Sequence, residues 1–297
     1  MTSTQAIRGH DPYPSRVASR PEILERVDPV IHGGGPGPLT QEQLESYQQN
    51  GFLLVEDLIT EQEVEEVFAE VQRLAADPGR RASPTTIIEP RSEGIRSLFA
   101  VHEDEGVIRW LAARVAAVAR QILGSDVYIH QSRVNLKPGF EGAGFPWHSD
   151  FETWHIEDGM PRMRALSCSI ALTTNNEFNG PLLLVPGSHR SFVACVGETP
   201  DEHYKESLRW QEYGTPDLDV LEGLVAHGGM VSAKGPAGSA VFFDCNTMHG
   251  SADNITPFPR SNVFLVYNSV DNHLVEPFGG TVPRPDYIAS RNFTPIG

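Results

Sequence analysis

Apolar positions recur at helical spacing in the first part of this chain and in short strand-like runs after it. Val64, Val67, Phe68, Val71 and Leu74 form one stripe, the three-to-four-residue repeat that lines a single helix face. Thr60 with Glu63, and Thr40 with Gln43 upstream, set a hydroxyl and a reaching side chain three positions apart. That pairing satisfies the free amides of a helix start from both ends. The pattern predicts two capped helices with Phe52–Val55, after Gly51, as a short buried strand between them. A third helical run from Val107 to Leu123 is predicted to stop at Gly124, a residue suited to the left-handed turn past a helix end.

From Val127 the texture changes to short β-branched and aromatic runs: Val127–Leu136, Ala165–Leu172, Leu182–Val185, Ala240–Asp244 and Asn262–Asn268, separated by Gly, Pro and Asn clusters. Helices followed by many short strands imply an α+β chain built on a β-sandwich or jelly roll. Residues 1–38 are rich in turn formers and end in Gly33-Gly-Gly-Pro-Gly-Pro38, so they are read as a flexible N-terminal arm or one draped on the domain. Residues 39–297 are expected to form a single domain. The connection 190–226, with a helical patch around His203–Glu212, exceeds ordinary loop length. It is read either as a lid over a site or as surface decoration.

Composition narrows the setting. Twenty-three basic against 39 acidic residues leave a formal charge of −16, which repels phosphate backbones and argues against nucleic acid as a partner. Cys168, Cys195 and Cys245 are scattered, with no disulfide or zinc spacing. A reducing, cytoplasmic location is expected. No secretory leader is read in residues 1–36, and no stretch approaches the roughly 18 apolar residues of a membrane span.

Chemistry concentrates in Phe145-Pro-Trp-His-Ser-Asp-Phe-Glu-Thr-Trp-His155 and in His249 of Asp244-Cys-Asn-Thr-Met-His249. In an extended segment, positions i and i+2 share a face, so His148 and Asp150 are expected to grip one ion while Ser149 points away. His249 follows a predicted strand and is the third candidate ligand. Two neutral imidazoles and one carboxylate on one face of Fe(II) leave the opposite face open for a co-substrate and O2. Arg260, eleven positions after His249, carries a permanent charge and a planar fork suited to a carboxylate. It is expected to hold the far end of a 2-oxo acid. Alternation along Val127–Leu136 puts Gln131, Arg133 and Asn135 on one face, a polar set for a strand otherwise made of Val and Leu.

With Leu184-Val-Pro-Gly-Ser-His189, His148-x-Asp150, His249 and Arg260, the chain resembles the Fe(II)- and 2-oxoglutarate-dependent dioxygenases of the phytanoyl-CoA dioxygenase type. Within that type, the segment Phe145–His155 followed by Glu157-Asp-Gly-Met-Pro161 is similar to the signature of the ectoine hydroxylases, a likeness that extends from about Leu39 to the C-terminus. The resemblance implies a double-stranded β-helix (jelly-roll, cupin-like) core flanked by N-terminal helices, a homodimer, Fe(II), and 2-oxoglutarate and O2 as co-substrates. The implied reaction is conversion of ectoine to 5-hydroxyectoine, with succinate and CO2 released. It implies His148, Asp150 and His249 as the catalytic metal ligands. Arg260, Asn135, Ser167 and Ser251 are implied near 2-oxoglutarate, and Gln131, Arg133, Trp154, Phe243, Phe264 and Arg284 around the substrate, although by composition alone Phe243 and Phe264 read as core residues. Ectoine carries a carboxylate and a delocalised cationic ring, for which an arginine and aromatic faces are physically apt. Three rivals remain at this point: a relative acting on an acyl-CoA or another small metabolite, a non-catalytic metal-binding jelly roll, and a zinc hydrolase.

Overall fold

The structure, a computed structural model, describes residues 11–89, 92–104, 106–200, 202–208 and 211–297. Among these residues the core is a pair of antiparallel sheets. The larger has seven strands in the order Phe52–Val55, Ala240–Asp244, Ala165–Ala171, Arg260–Ser269, Val127–Lys137, Ile95–Phe99 and Thr86–Ile88. The smaller has four: Val231–Ser232, Leu182–Leu184, His249–Ser251 and Phe145–His148. Each strand of the large sheet has two differently used faces. Along Arg260–Ser269, Val263, Leu265 and Tyr267 join an outer cluster with Val67, Val71 and Leu74 of helix Glu61–Ala76 and Leu111, Val115 and Ala119 of helix Val107–Leu123. Phe264, on the alternate face, packs with Phe52, Leu182, Leu184, Val241 and Phe243 in the interior between the sheets. The result is a jelly-roll core with helices on its outer face.

The predicted helix starts form as capping boxes at Thr40 and Thr60, with backbone and side-chain hydrogen bonds in both directions. Predicted strands shift by one or two residues at their ends, and Arg260, expected just before its strand, is its first residue. Gly51 closes helix Gln41–Asn50 at φ 82°. A Cβ there would collide with the His189 ring and the Thr247 hydroxyl. The Gly51 carbonyl accepts from Thr247 Oγ1 and from the Asp244 amide, both at 2.8 Å. That glycine thereby seats the turn leading to His249.

Two expectations change. Residues 11–38 are docked on the domain and are not a flexible arm; residues 1–10 lie outside the described residues. Glu22–Glu25 pairs with Ser191–Ala194, Tyr13 is buried, and Arg26 forks onto Asp244 at 2.7 and 3.0 Å. Turn formers leave room for only one short strand but do not prevent docking, and the tyrosine and arginines found distant partners. The stretch 190–226 is anchored at both ends, by that strand and by helix Leu218–Gly228, whose Val220, Leu221, Leu224 and Val225 pack on Val185, Val193 and Met248. Between them the helical patch shrinks to Tyr204–Ser207; residues 209 and 210 lie outside the described residues. His203, Ser207, Gln211 and Tyr213 from this middle stretch cover a cleft beside His148.

Candidate metal centre and its cleft

His148 ends strand Phe145–His148 and lies opposite His249 in the antiparallel ladder. Backbone pairing alone therefore brings two imidazoles together, with ring centroids 4.3 Å apart. Asp150 arrives differently from the expected continuous strand. Ser149 is extended and caps the short helix Asp150–Thr153, so the pair His148-x-Asp150 spans a strand-to-helix junction. Ser149 also donates to Asn246 Oδ1 at 3.0 Å, tying this junction to the turn before His249. Asp150 Oδ1 stands 3.7 Å from His148 Nε2 and 3.9 Å from His249 Nε2.

The donor set fits a metal. One ligand atom from each of the three residues lies within 4.8 Å of the others. His148 Nδ1 faces the Pro146 carbonyl at 2.7 Å and His249 Nδ1 the Thr247 carbonyl at 2.9 Å. Those carbonyls fix the proton on Nδ1 and leave the Nε2 lone pairs aimed inward. Burial, then the neighbouring His249, lowers the His148 pKa to about 4, so its imidazole is neutral at pH 7. Ser167 donates to Asp150 Oδ2 at 3.2 Å, which leaves Oδ1 for an ion.

Around Ser251, two positions past His249, and the Gly180 carbonyl the barrel gathers basic side chains. Arg260 is buried, donating to the Gly180 carbonyl at 2.6 Å and to Asn135 Oδ1 at 2.9 Å, while its Nε has no partner. Lys137 Nζ donates to Ser251 Oγ at 3.0 Å, the Ala252 carbonyl at 2.6 Å and the Gly180 carbonyl at 3.3 Å. Burial together with Arg133 and Arg96 pushes Arg260 down to about 10. Burial and the nearby Arg260 and Arg96 push Lys137 down to about 6. Basic groups this crowded, hydrogen-bonded to neutral oxygens, suit an anionic ligand that restores the Lys137 charge. Lys137 was missed in the sequence, although Gln131, Arg133, Asn135 and Lys137 share one face of their strand.

Beside His148 and Asp150, the cleft is lined by Gln131, Arg133, Trp154, Glu157 and Arg284. Gln131 donates to the Ile288 carbonyl at 2.7 Å. Arg133 lies over the Phe264 ring at 5.0 Å and over Phe145 at 5.7 Å, with its Nε unpartnered. Trp154 begins a π-helical turn, Trp154–Asp158, and stands edge-on to His130 at 5.0 Å. Arg284 forks onto Asp158 at 2.7 and 2.6 Å, so its charge is already matched. Phe243 and Phe264 belong to the interior apolar cluster, and the Phe243 ring lies 4.9 Å from His249. Asn135 and Ser251 sit deeper, on Arg260 and Lys137, and Ser167 sits on Asp150.

Known proteins share this arrangement of chain. The model of the phytanoyl-CoA dioxygenase family matches residues 47–262. An ectoine dioxygenase of Bordetella bronchiseptica is 55% identical over 285 residues, covering 95% of this chain and 92% of its own. EctD from S. alaskensis, solved with bound Fe, superposes with a TM-score of 0.86 at 44% identity over 97% of each chain. The same protein solved with 2-oxoglutarate and 5-hydroxyectoine gives 0.85 at the same identity and coverage. A His-Asp-His cluster at the mouth of a jelly roll, a family match across most of the chain and near-complete coverage by these relatives lead to one assignment: the chain belongs to the phytanoyl-CoA dioxygenase family.

Proposed function

We infer that this protein hydroxylates ectoine to 5-hydroxyectoine, consuming 2-oxoglutarate and O2 and releasing succinate and CO2. The observation that carries the reading is a metal-fitting triad that borders a polar cleft, together with a buried basic pair reached through Ser251, two positions past His249. Arg260 and Lys137, a guanidinium and a buried amine, are held by neutral oxygens. Beside the triad lies a cleft that combines Trp154 and Arg133 with a carboxylate, Glu157. A relative 44% identical, solved with 2-oxoglutarate and 5-hydroxyectoine, supports these two ligands for this chain.

His148, Asp150 and His249 hold Fe(II), with Ser167 fixing the Asp150 carboxylate. When bound, the iron supplies the oxidising chemistry that couples loss of CO2 from 2-oxoglutarate to insertion of one oxygen atom into a ring C–H bond. Arg260 and Lys137 bind the distal carboxylate of 2-oxoglutarate, oriented by Asn135 and Ser251. In the cleft, Arg133 takes the substrate carboxylate, because Arg284 is already committed to Asp158. Trp154, with Phe264 and Phe243 behind it, offers apolar and π surface to the cationic ring. Gln131 and Arg284 complete the wall. An acyl-CoA is disfavoured because its phosphates would meet Glu157 and an acidic surface. A zinc hydrolase has no use for the buried Arg260–Lys137 pair.

The decisive experiment loads the protein anaerobically with Fe(II), adds 2-oxoglutarate, ectoine and O2, and measures succinate and products by mass spectrometry. Coupled formation of succinate and a product heavier by one oxygen is expected. Succinate without that product removes ectoine but keeps the dioxygenase, and neither product, with iron bound, favours a binding module. The proposal includes a homodimer, to be checked by light scattering, and a cytoplasmic setting, supported by three free, buried cysteines.

A further inference from the structure

The strongest unexplained group outside the metal site is Arg16, in the N-terminal segment. It is a non-glycine residue at φ 59°, a conformation that residues with a Cβ rarely adopt. Its backbone amide donates to the Cys195 carbonyl at 2.9 Å, and its side chain is almost fully buried. The guanidinium spends its donors on four residues. Nε and Nη2 fork onto Glu152 at 2.9 and 2.7 Å. Nη1 reaches Glu157 Oε1 at 2.7 Å and Thr199 Oγ1 at 2.6 Å, and Nη2 lies 3.4 Å from Thr153 Oγ1. Ser15 adds a hydroxyl to Glu152 at 2.6 Å. Gly214 passes so close that a Cβ there would strike Arg16 Nη2 and Glu152 Oε2.

These partners are not scattered. Thr153 and Glu157 line the cleft beside His148. Thr199 and Glu157 line the outer pocket that shares Glu157, His203 and Arg284 with it. Glu152 sits two positions after Asp150. The metal side has separate anchors: Ser167 on Asp150, Asn246 on Ser149, and the ladder between His148 and His249. The wall that carries Trp154 is held at its far end, where Arg284 and His130 meet Asp158, while its near end depends on residue 16. Arg16 pairs at 2.7 Å with both carboxylates of that near end, Glu152 and Glu157, and Arg284 adds a longer 3.9 Å contact to Glu157.

We propose that Arg16 is a positioning residue for the substrate, holding the π-helical wall of the cleft from the N-terminal segment while the metal and 2-oxoglutarate sites stand independently of it. The inference rests on the ectoine reading for the identity of the substrate. Without Arg16, buried Glu152 keeps only the Ser15 hydroxyl and buried Glu157 only the longer 3.9 Å contact with Arg284, a deficit of charge pairing that loosens the turn Trp154–Asp158. Lysine keeps the charge but lacks the planar fork that spans Glu152 and Glu157, so it restores only part of the function.

The test compares wild type, Arg16→Met, Arg16→Lys and the pair Arg16→Met/Glu152→Gln, which removes the Glu152 charge and serves if the single variant does not fold. For Arg16→Met, a tenfold or larger rise in KM for ectoine is expected, with iron content and KM for 2-oxoglutarate changed less than twofold. Succinate formed per hydroxylated product should rise, and Arg16→Lys should fall between the two. Amide hydrogen exchange should quicken over residues 153–158 and stay unchanged over residues 131–135, a readout that needs no substrate. An unchanged ectoine KM, or constants for ectoine and 2-oxoglutarate that worsen together with thermal stability, overturns the proposal. Wild type that makes succinate but no hydroxylated ectoine overturns the substrate reading alone, and hydrogen exchange then decides the role of Arg16.

Discussion

At the scale of single residues, the site separates groups that hold the ion from groups that hold charge in readiness. Asp150→Ala removes the only carboxylate of the described His-Asp-His cluster. Hydroxylation is expected to fall ~100-fold or more, since even partners behind a metal ligand matter at the 10–100-fold level. The fold should survive, because Ser149 still caps the helix; near-normal product formation would remove Asp150 from the ligand set. Lys137 gives a pH prediction. Its amine sits at about 6 in the fold against about 10.4 for a free lysine. Between those values the unfolded chain binds more protons, so this residue makes stability rise with pH across that window. A carboxylate bound beside Nζ restores the ammonium. Binding of 2-oxoglutarate should therefore take up a proton near pH 8 and weaken as pH rises toward 10. Calorimetry in two buffers of different ionisation enthalpy measures the uptake, and equal uptake in wild type and Lys137→Met would make Lys137 a purely structural amine.

Elements differ in how far their causes lie from them along the chain. Helix Glu61–Ala76 was legible because its cap, Thr60 with Glu63, and its apolar stripe are local. Thr60→Ala is expected to cost about 1 kcal/mol. The melting temperature should fall by roughly 2–4 °C; a loss under a few tenths of a degree would show that tertiary packing alone fixes this start. The strands that build the metal site were not legible. Phe145–His148 and His249–Ser251 have four and three residues, too few for alternation to register, and the first carries a proline. The spacing His148-x-Asp150 named the ligands but misjudged the backbone, which turns from strand to helix between them. Lys137 was within reach by alternation. Arg16 was not: Glu152, Glu157 and Thr199 lie 136 to 183 positions away, and only the fold brings them to it.

Across the whole molecule, charge is partitioned by depth. Five buried carboxylates are matched by arginines: Glu152 and Glu157 by Arg16, Asp244 by Arg26, Asp158 by Arg284 and Glu89 by Arg96, while Glu70 accepts from the first amides of helix Val107–Leu123. The formal excess of −16 must then reside mainly on the surface, as with the exposed Glu61, Glu65 and Glu66 of one helix. Surface repulsion of one sign opposes the compact state, and it is screened as the Debye length falls from about 10 Å at 0.1 M salt to about 3 Å at 1 M. The buried pairs are beyond most of that screening. Raising KCl from low millimolar to molar concentration should therefore raise the melting temperature by several degrees, with most of the gain below about 0.5 M. Sucrose at matched osmolality supplies the comparison, since it strengthens burial by exclusion but screens nothing. A rise with both solutes alike would assign the effect to exclusion. A fall with KCl would mean that the ion pairs of the N-terminal segment open to solvent before the barrel does, and that salt reaches them there.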